Sequence, residues 1–294
     1  MGTRHQARAG RRLWGAVAAA LAMTMMVAGC TGPTGPSTPG AEAKRLVLGA
    51  TAEPDSMDPT GSSAAAGSQV LLYNVYETLV KIDADGELRP LLAQQWDLSK
   101  DRTTYTFHLN PAAKFSDGDP VSAEAVVANL DRVRNGSGVL KKYKDPFTVI
   151  SSTRAVDAST VEVKLSRASN RWLYELASTS GVIVNPKGFA MLATQSAGSG
   201  PYALKTWVQG DSVTLAKSPA YWGTPPRFDE VVFRYFADPN AMNAAMQSDQ
   251  LDIITNLQAP DAITSFQDAS RFEIIEGSTT GEVVLGLNNQ TPAL

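Results

Sequence analysis

Tyr105-Thr106-Phe107-His108-Leu109-Asn110-Pro111-Ala112-Ala113-Lys114-Phe115-Ser116-Asp117-Gly118-Asp119-Pro120-Val121-Ser122-Ala123-Glu124-Ala125-Val126 decides the fold class. Tyr105, Phe107 and Leu109 alternate with Thr106 and His108, the period of two expected of a half-buried strand. Asp117-Gly118 breaks the chain into a turn. Ser122 then stands where a helix N-cap would, with Glu124 near the positive end of the helix that follows. Strand, turn and helix succeed one another here, so the chain reads as mixed α/β.

The same alternation extends outward. Residues 96–98 and 105–109 flank Ser99-Lys100-Asp101-Arg102-Thr103 as a hairpin, and the helix begun at Ser122 is expected to reach Val133. Val161, Val163 and Leu165 alternate with Glu162 and Lys164 as another half-buried strand. Residues 171–178 and 186–194 read as short helices, and 213–217, 231–236 and 251–255 as strands. Asp238-Pro239, followed by an Ala/Met run to Met246, predicts a capped helix with proline in its first turn. Residues 273–276 and 282–287 read as the last strands. Upstream, 45–51 reads as a strand, and Val70, Leu71, Val75, Leu79 and Ile82 fall at helical spacing, which predicts a helix over 67–82. With hairpins among the strands, the sheet should be mixed rather than purely parallel.

The 294 residues are 43% hydrophobic and 19% charged, which excludes global disorder. One Cys and two His leave no material for a disulfide or a Cys/His zinc cluster. The first 29 residues hold four Arg and no acid, and from Leu13 to Gly29 there is no charge at all. A basic start, an apolar middle and a small-residue end read as a secretory signal. Val27-Ala28-Gly29-Cys30 resembles the lipobox of bacterial lipoproteins, in which the Cys is lipidated and becomes the new N-terminus. An ordinary signal with a chance Cys, or an uncleaved anchor, are the alternatives. Arg11-Arg12-Leu13-Trp14 resembles a weak twin-arginine signal, or is an ordinary basic start. Without residues 1–29, 22 Lys+Arg face 29 Asp+Glu, a net charge of −7. That disfavours nucleic acid as a partner and electrostatic adhesion to an anionic membrane. Membrane attachment is therefore expected through the lipid on Cys30. Residues 30–43, Pro/Gly/Ser/Thr-rich, read as a flexible tether.

Three groups of residues, in order, resemble the extracellular solute-binding proteins of ABC importers, in the family for peptides and nickel. The first is Tyr76-Glu77-Thr78-Leu79-Val80 with Leu88-Arg89-Pro90-Leu91-Leu92-Ala93 and Trp96. The second is the opening stretch with Lys114-Phe115-Ser116-Asp117-Gly118 and Ser122-Ala123-Glu124-Ala125-Val126. The third is Gly198-Ser199-Gly200-Pro201-Tyr202, Tyr221-Trp222-Gly223 and 244–252. Asn110-Pro111-Ala112-Ala113 departs from the family, which usually has a basic residue and a Lys-Gly-like turn there.

The resemblance implies a periplasmic-binding-protein-like (type II), two-lobe α/β fold. In this chain it implies mainly the first lobe, 44–281, with an internal subdomain at about 75–180. Residues 282–294 would begin the crossing into a second lobe, because Val283-Val284-Leu285-Gly286-Leu287-Asn288-Asn289 resembles the family's crossing strand. The second lobe and the returning segment are then expected to be absent; a compact one-lobe relative is the alternative. The implied function is capture of a peptide, or a related solute such as a nickel chelate, and delivery to an ABC permease. The implied setting is a monomer held by lipid at the outer face of the cell membrane.

Loops at strand ends are the candidate binding residues. Glu53 offers a carboxylate for a ligand amine and Met57 an adaptable apolar contact, unless 53–58 is a plain Pro/Asp turn. Ser180 lies in a small polar run that could equally end a helix at Gly181. Gly200 permits close backbone approach and Tyr202 can stack or donate; a rigid turn into a strand is the alternative. Asn288 could meet ligand or satisfy hinge backbone. Trp207 and Trp222 read as packing residues, and His108 as a surface residue. No metal site, cofactor or catalytic residue is expected: no carboxylates pair at a readable spacing, and no Gly-x-Ser-x-Gly elbow or phosphate loop occurs. The competing readings are an enzyme, or a sensing or chaperone-like lipoprotein on the same scaffold, or a non-functional truncated copy.

Overall fold

The computed structural model describes residues 44–258 and 260–277. The signal, the tether and residues 282–294 lie outside them.

Among the described residues the two largest sheets organise the two main apolar cores. The larger has five strands, in the order Tyr202–Val208, Ser212–Lys217, Glu230–Tyr235, Arg45–Ala50, Ile253–Ile254. The last three run parallel, and the first three are antiparallel to one another, so the sheet is mixed as expected. Alternation sends Leu46 and Leu48 toward one core and Val47 toward the other face, against Met242 and Leu251. The helix Pro239–Gln247 covers that second face. Its cap is the predicted one: the Asp238 side chain accepts from the Asn240 N–H at 2.9 Å, with Pro239 in the first turn.

The smaller sheet is antiparallel throughout, ordered Ala93–Leu98, Thr104–Leu109, Thr160–Leu165, Ile150–Ala155. Tyr105, Phe107, Leu109, Val161, Val163 and Leu165 all point inward and are buried. Trp172 fills the middle, its ring centroid 4.9 Å from that of Tyr105 and 6.3 Å from that of Phe107. The helix Ala123–Asn135 backs this sheet, capped where Ser122 accepts from the Ala125 N–H at 3.2 Å. Glu124 lies in its first turn and Arg132 and Arg134 in its last, each matching the helix dipole.

Between the cores runs a two-stranded ribbon, Glu77–Thr78 paired antiparallel with Val182–Ile183. Tyr76 and Val182 belong to the core under the large sheet, Leu79 and Ile183 to the other. Asn129 secures the returning strand: its amide donates to the Val184 carbonyl at 2.7 Å and accepts from the Val184 N–H at 3.0 Å.

The helix expected over 67–82 is shorter, Ala65–Leu71. Leu72 leaves the helix in an extended conformation, φ −69 and ψ 128, and Tyr73 follows it in a left-handed one at φ 62. Residues 75–80 are then buried in an unbroken run, a pattern one helix face cannot give. They pass between the two cores as short strands, and the helical spacing of Val75 and Leu79 is coincidental. Residues 273–276, expected as a strand, are irregular.

Candidate functional site

The parallel strands Arg45–Ala50, Glu230–Tyr235 and Ile253–Ile254 end side by side, Ala50 opposite Tyr235 and Gly49 opposite Ile254. In open α/β sheets ligands meet the chain outside such carboxyl ends. A groove of about 480 Å³ follows the central strand from Leu46 past its end to Ala52. Leu48, Val70, Tyr202, Val231 and Phe233 supply its apolar lining, the last four of them buried. Gln69, Asn74 and Thr255 supply its polar atoms.

Of the residues expected at a site, Tyr202 alone lines this groove among the described residues. Its hydroxyl donates to the Phe228 carbonyl at 3.1 Å, so the ring is held in place. Burial pushes the Tyr202 pKa up. Gly200 does permit a close approach, but to its own chain: a Cβ there would lie 2.5 Å from the Asn74 carbonyl oxygen. The Gly200 N–H donates to the Val75 carbonyl at 3.0 Å.

Glu53 is engaged within the fold, its carboxylate accepting from the Gly210 N–H at 2.6 Å. Met57 has no exposed surface and packs with Val70, Leu71 and Tyr76. The Tyr76 hydroxyl donates to the Met57 backbone carbonyl at 3.0 Å, and the buried side chain is a core residue rather than the adaptable ligand contact expected. Ser180 is buried in a short 3₁₀ turn, its N–H donating to the Ser178 hydroxyl at 3.2 Å. The turn suits the local-structure alternative for that segment. Asn288 and Cys30 lie outside the described residues.

Asp58, next to these loops, pairs with Arg132 at 3.1 Å, and Arg132 also donates to Thr60 at 3.1 Å. The Arg132 guanidinium lies 5.2 Å from the centre of the Phe189 ring. The 53–60 loop is therefore fixed on the helix Ala123–Asn135 rather than loose.

Glu77 is a hub, a role that its stretch Tyr76–Val80 does not reveal in the sequence. It is 2% exposed. One carboxylate oxygen accepts from the Ser199 hydroxyl at 2.8 Å and the Trp222 indole N–H at 3.0 Å, the other from the Tyr221 hydroxyl at 3.3 Å. Burial raises its pKa, and the three donors and Lys81 oppose that rise. Tyr221, desolvated and facing this carboxylate, is pushed up to about 12. Glu77, Ser199 and Tyr221-Trp222 belong to separate motifs in the sequence. The available signal is an acid in an otherwise apolar run. It acquires meaning only once the partners are near in space.

His108 lies on the open side of the smaller sheet, 3.1 Å from Asp97. Among the described residues no group of three His, Cys, Asp or Glu is placed to hold a metal, and no helix is long and apolar enough to cross a membrane.

Comparison with known proteins gives this arrangement a context. Over 211 residues the chain is 33% identical to the glutathione-binding protein GsiB of Pectobacterium atrosepticum, covering 70% of this chain and 41% of that one. It is 29% identical over 266 residues to the probable D,D-dipeptide-binding periplasmic protein DdpA of Escherichia coli, covering 85% and 50%. The chain thus spans about half the length of the curated relatives it matches. The solved structure of AgaA from A. tumefaciens, bound to agropinic acid, superposes with a TM-score of 0.70 at 29% identity, over 75% of this chain and 45% of that one. The fold is accordingly the mixed α/β fold of the type II periplasmic binding proteins. Residues 87–294 match the family described as bacterial extracellular solute-binding proteins, family 5 Middle, and the chain belongs to that family of binding proteins.

Proposed function

We propose that the protein is the solute-binding lipoprotein of an ABC importer, taking a small peptide or peptide-like solute outside the membrane and passing it to the permease. The family membership carries this reading. Two of its relatives are named for glutathione and a D,D-dipeptide, both small peptides. A groove along the carboxyl-end region of the parallel strands, apolar with a few polar atoms, suits one wall of such a site. In this reading residues 1–29 are the export signal, Cys30 the lipid-bearing residue and 30–43 the leash. Residues 44–281 are one lobe with its subdomain at about 75–180, and 282–294 begin the crossing to another. Closure of two lobes on the solute by hinge motion would complete the site.

Two measurements test it. Thermal unfolding of the protein is followed with panels of short peptides, nickel chelates and sugars. A rise in Tm with peptides supports the reading, and no shift across all three panels counts against it. Cys30→Ser is expected to move the protein from the membrane to the soluble fraction; retention in the membrane refutes the lipid anchor.

A further inference from the structure

We infer that the end of the smaller sheet made by the 99–103 turn and residues 164–171 is a contact surface for an anionic lipid membrane, and that this contact orients the anchored protein. The inference rests on the lipid anchorage proposed above, which puts the folded body beside a membrane.

The charge of the chain is unevenly placed. Residues 79–181, which carry the smaller sheet, hold 14 Lys+Arg and 13 Asp+Glu. The rest of the chain beyond residue 29 holds 8 and 16. The net charge of −7 opposes adhesion of the chain as a whole, but it lies outside 79–181, whose own balance is +1. Folding then gathers cations at one end of this sheet. Leu98 pairs with Tyr105 and Thr104 with Lys164, so the 99–103 turn and the chain from Lys164 onward share that end. The Leu165 N–H donates to the Thr103 carbonyl at 2.7 Å, and the Arg102 guanidinium donates to the Asn170 side-chain oxygen at 2.5 Å. Lys100, Arg102, Lys164, Arg167 and Arg171 are all exposed there. Among the described residues only Arg171 of the five is in an ion pair, with Glu175 at 2.6 Å. Within 99–103 and 164–175 these five cations stand against two carboxylates, Asp101 and Glu175.

Two large side chains next to these segments are exposed as well, Leu98 at 41% and Tyr174 at 43%. Basic residues interleaved with an exposed aromatic and an exposed aliphatic side chain are the composition of surfaces that lie on headgroups. An anionic bilayer attracts exposed Lys and Arg within a Debye length, about 10 Å at 0.1 M salt. Unpaired cations spread along a turn and a loop suit a diffuse layer of headgroup charge. Residues 30–43 span at most about 50 Å even when fully extended, so a lipid on Cys30 keeps the body within reach of that layer. At such an effective concentration a weak contact is enough to orient the protein. Without the lipid the same contact is too weak to hold it at physiological salt, so release of Cys30→Ser is still expected.

The test uses the Cys30→Ser protein, which carries no acyl chain, with vesicles of phosphatidylcholine alone or mixed with phosphatidylglycerol. Co-sedimentation with the mixed vesicles is expected at about 20 mM salt, and its loss at about 0.5 M, where the Debye length falls below about 5 Å. Phosphatidylcholine alone should bind none. Lys100→Glu with Arg167→Glu, both exposed and unpaired, should weaken binding at least about tenfold at unchanged Tm, since each cation at such a surface contributes about fivefold. Lys217→Glu with Arg227→Glu makes the same charge change outside 79–181 and should alter binding little. Hydrogen exchange on the vesicles should slow at 99–103 and 164–171. No binding to the mixed vesicles at low salt overturns the inference. Equal losses in the two double variants also overturn it, because the charge of the whole molecule would then meet the vesicle. Binding to soluble polyglutamate with none to vesicles assigns the cations to an acidic protein and overturns it too. Anchorage is read separately by the fractionation of Cys30→Ser, and solute binding by the Tm panel, so a failure of either is told apart from a failure here.

Discussion

Replacing Glu77 should uncouple three parts of the chain at once. In Glu77→Ala the Ser199 hydroxyl, the Trp222 indole N–H and the Tyr221 hydroxyl all lose their acceptor. Ser199 is buried and cannot turn to water, so its stranded donor costs about 1–3 kcal/mol. Trp222 and Tyr221 are half-buried and recover part of their bonding, which adds about 0.5–1.5 kcal/mol each. Relief from burying a carboxylate offsets part of this, leaving a loss of about 2–4 kcal/mol. Glu77→Gln keeps the shape and one acceptor, and should cost less, about 1–2 kcal/mol at acid pH.

The pH dependence separates this account from a loss of packing. A raised carboxyl pKa means that the folded protein holds the proton more tightly than the unfolded chain. The stability due to protonated Glu77 is therefore full below the ordinary value of 4.5 and is lost as pH climbs through the raised pKa. The amide introduced by Glu77→Gln does not titrate. The gap between the native protein and Glu77→Gln should narrow as pH rises above that ordinary value. Tyr221, which faces the carboxylate and is pushed up to about 12, stays neutral across that window. Urea unfolding followed by far-UV circular dichroism, from about pH 4 to about pH 8, reads both quantities. A cost for Glu77→Ala below about 1 kcal/mol, or a Glu77→Gln gap independent of pH, would refute the reasoning.

Three further outcomes are expected in the same assay. Asp58→Ala strands the Arg132 guanidinium, whose side chain is 12% exposed, and should cost about 3 kcal/mol; Asp58→Leu combined with Arg132→Met should restore much of that. Trp172→Ala empties the centre of the smaller sheet's core and should cost about 3–5 kcal/mol, with loss of near-ultraviolet ellipticity. Ser122→Ala removes the N-cap of the helix Ala123–Asn135 and should cost about 1 kcal/mol, largely recovered by Ser122→Asp.

Local features are legible where one short segment carries its own signal. The alternation at 105–109 and 161–165, the caps at Ser122 and Asp238 and the hairpin before Tyr105 each stand where the pattern puts them. Periodicity misleads at 72–82, where the same spacing fits a helix and a chain buried on all sides, and cannot by itself separate the two. Residues 202–208 and 150–155 carry no strand signal that stands out in the sequence; both are edge strands whose exposed faces blur the alternation.

The candidate site divides the same way. Tyr202 is visible as an aromatic after a Gly-Pro turn, and it does line the groove. Glu53 and Met57 have the right chemistry for a ligand. Only folding reveals that one is held by the Gly210 N–H and the other lies in the core. Sequence by itself settled the fold class, the family and the net negative charge of the chain beyond residue 29, because these rest on residue type and order. Tertiary structure decided which carboxylates are already engaged, which glycine faces its own backbone and which apolar residues enter the core. Those depend on distances between segments as far apart as Glu77 and Trp222, which no local pattern records.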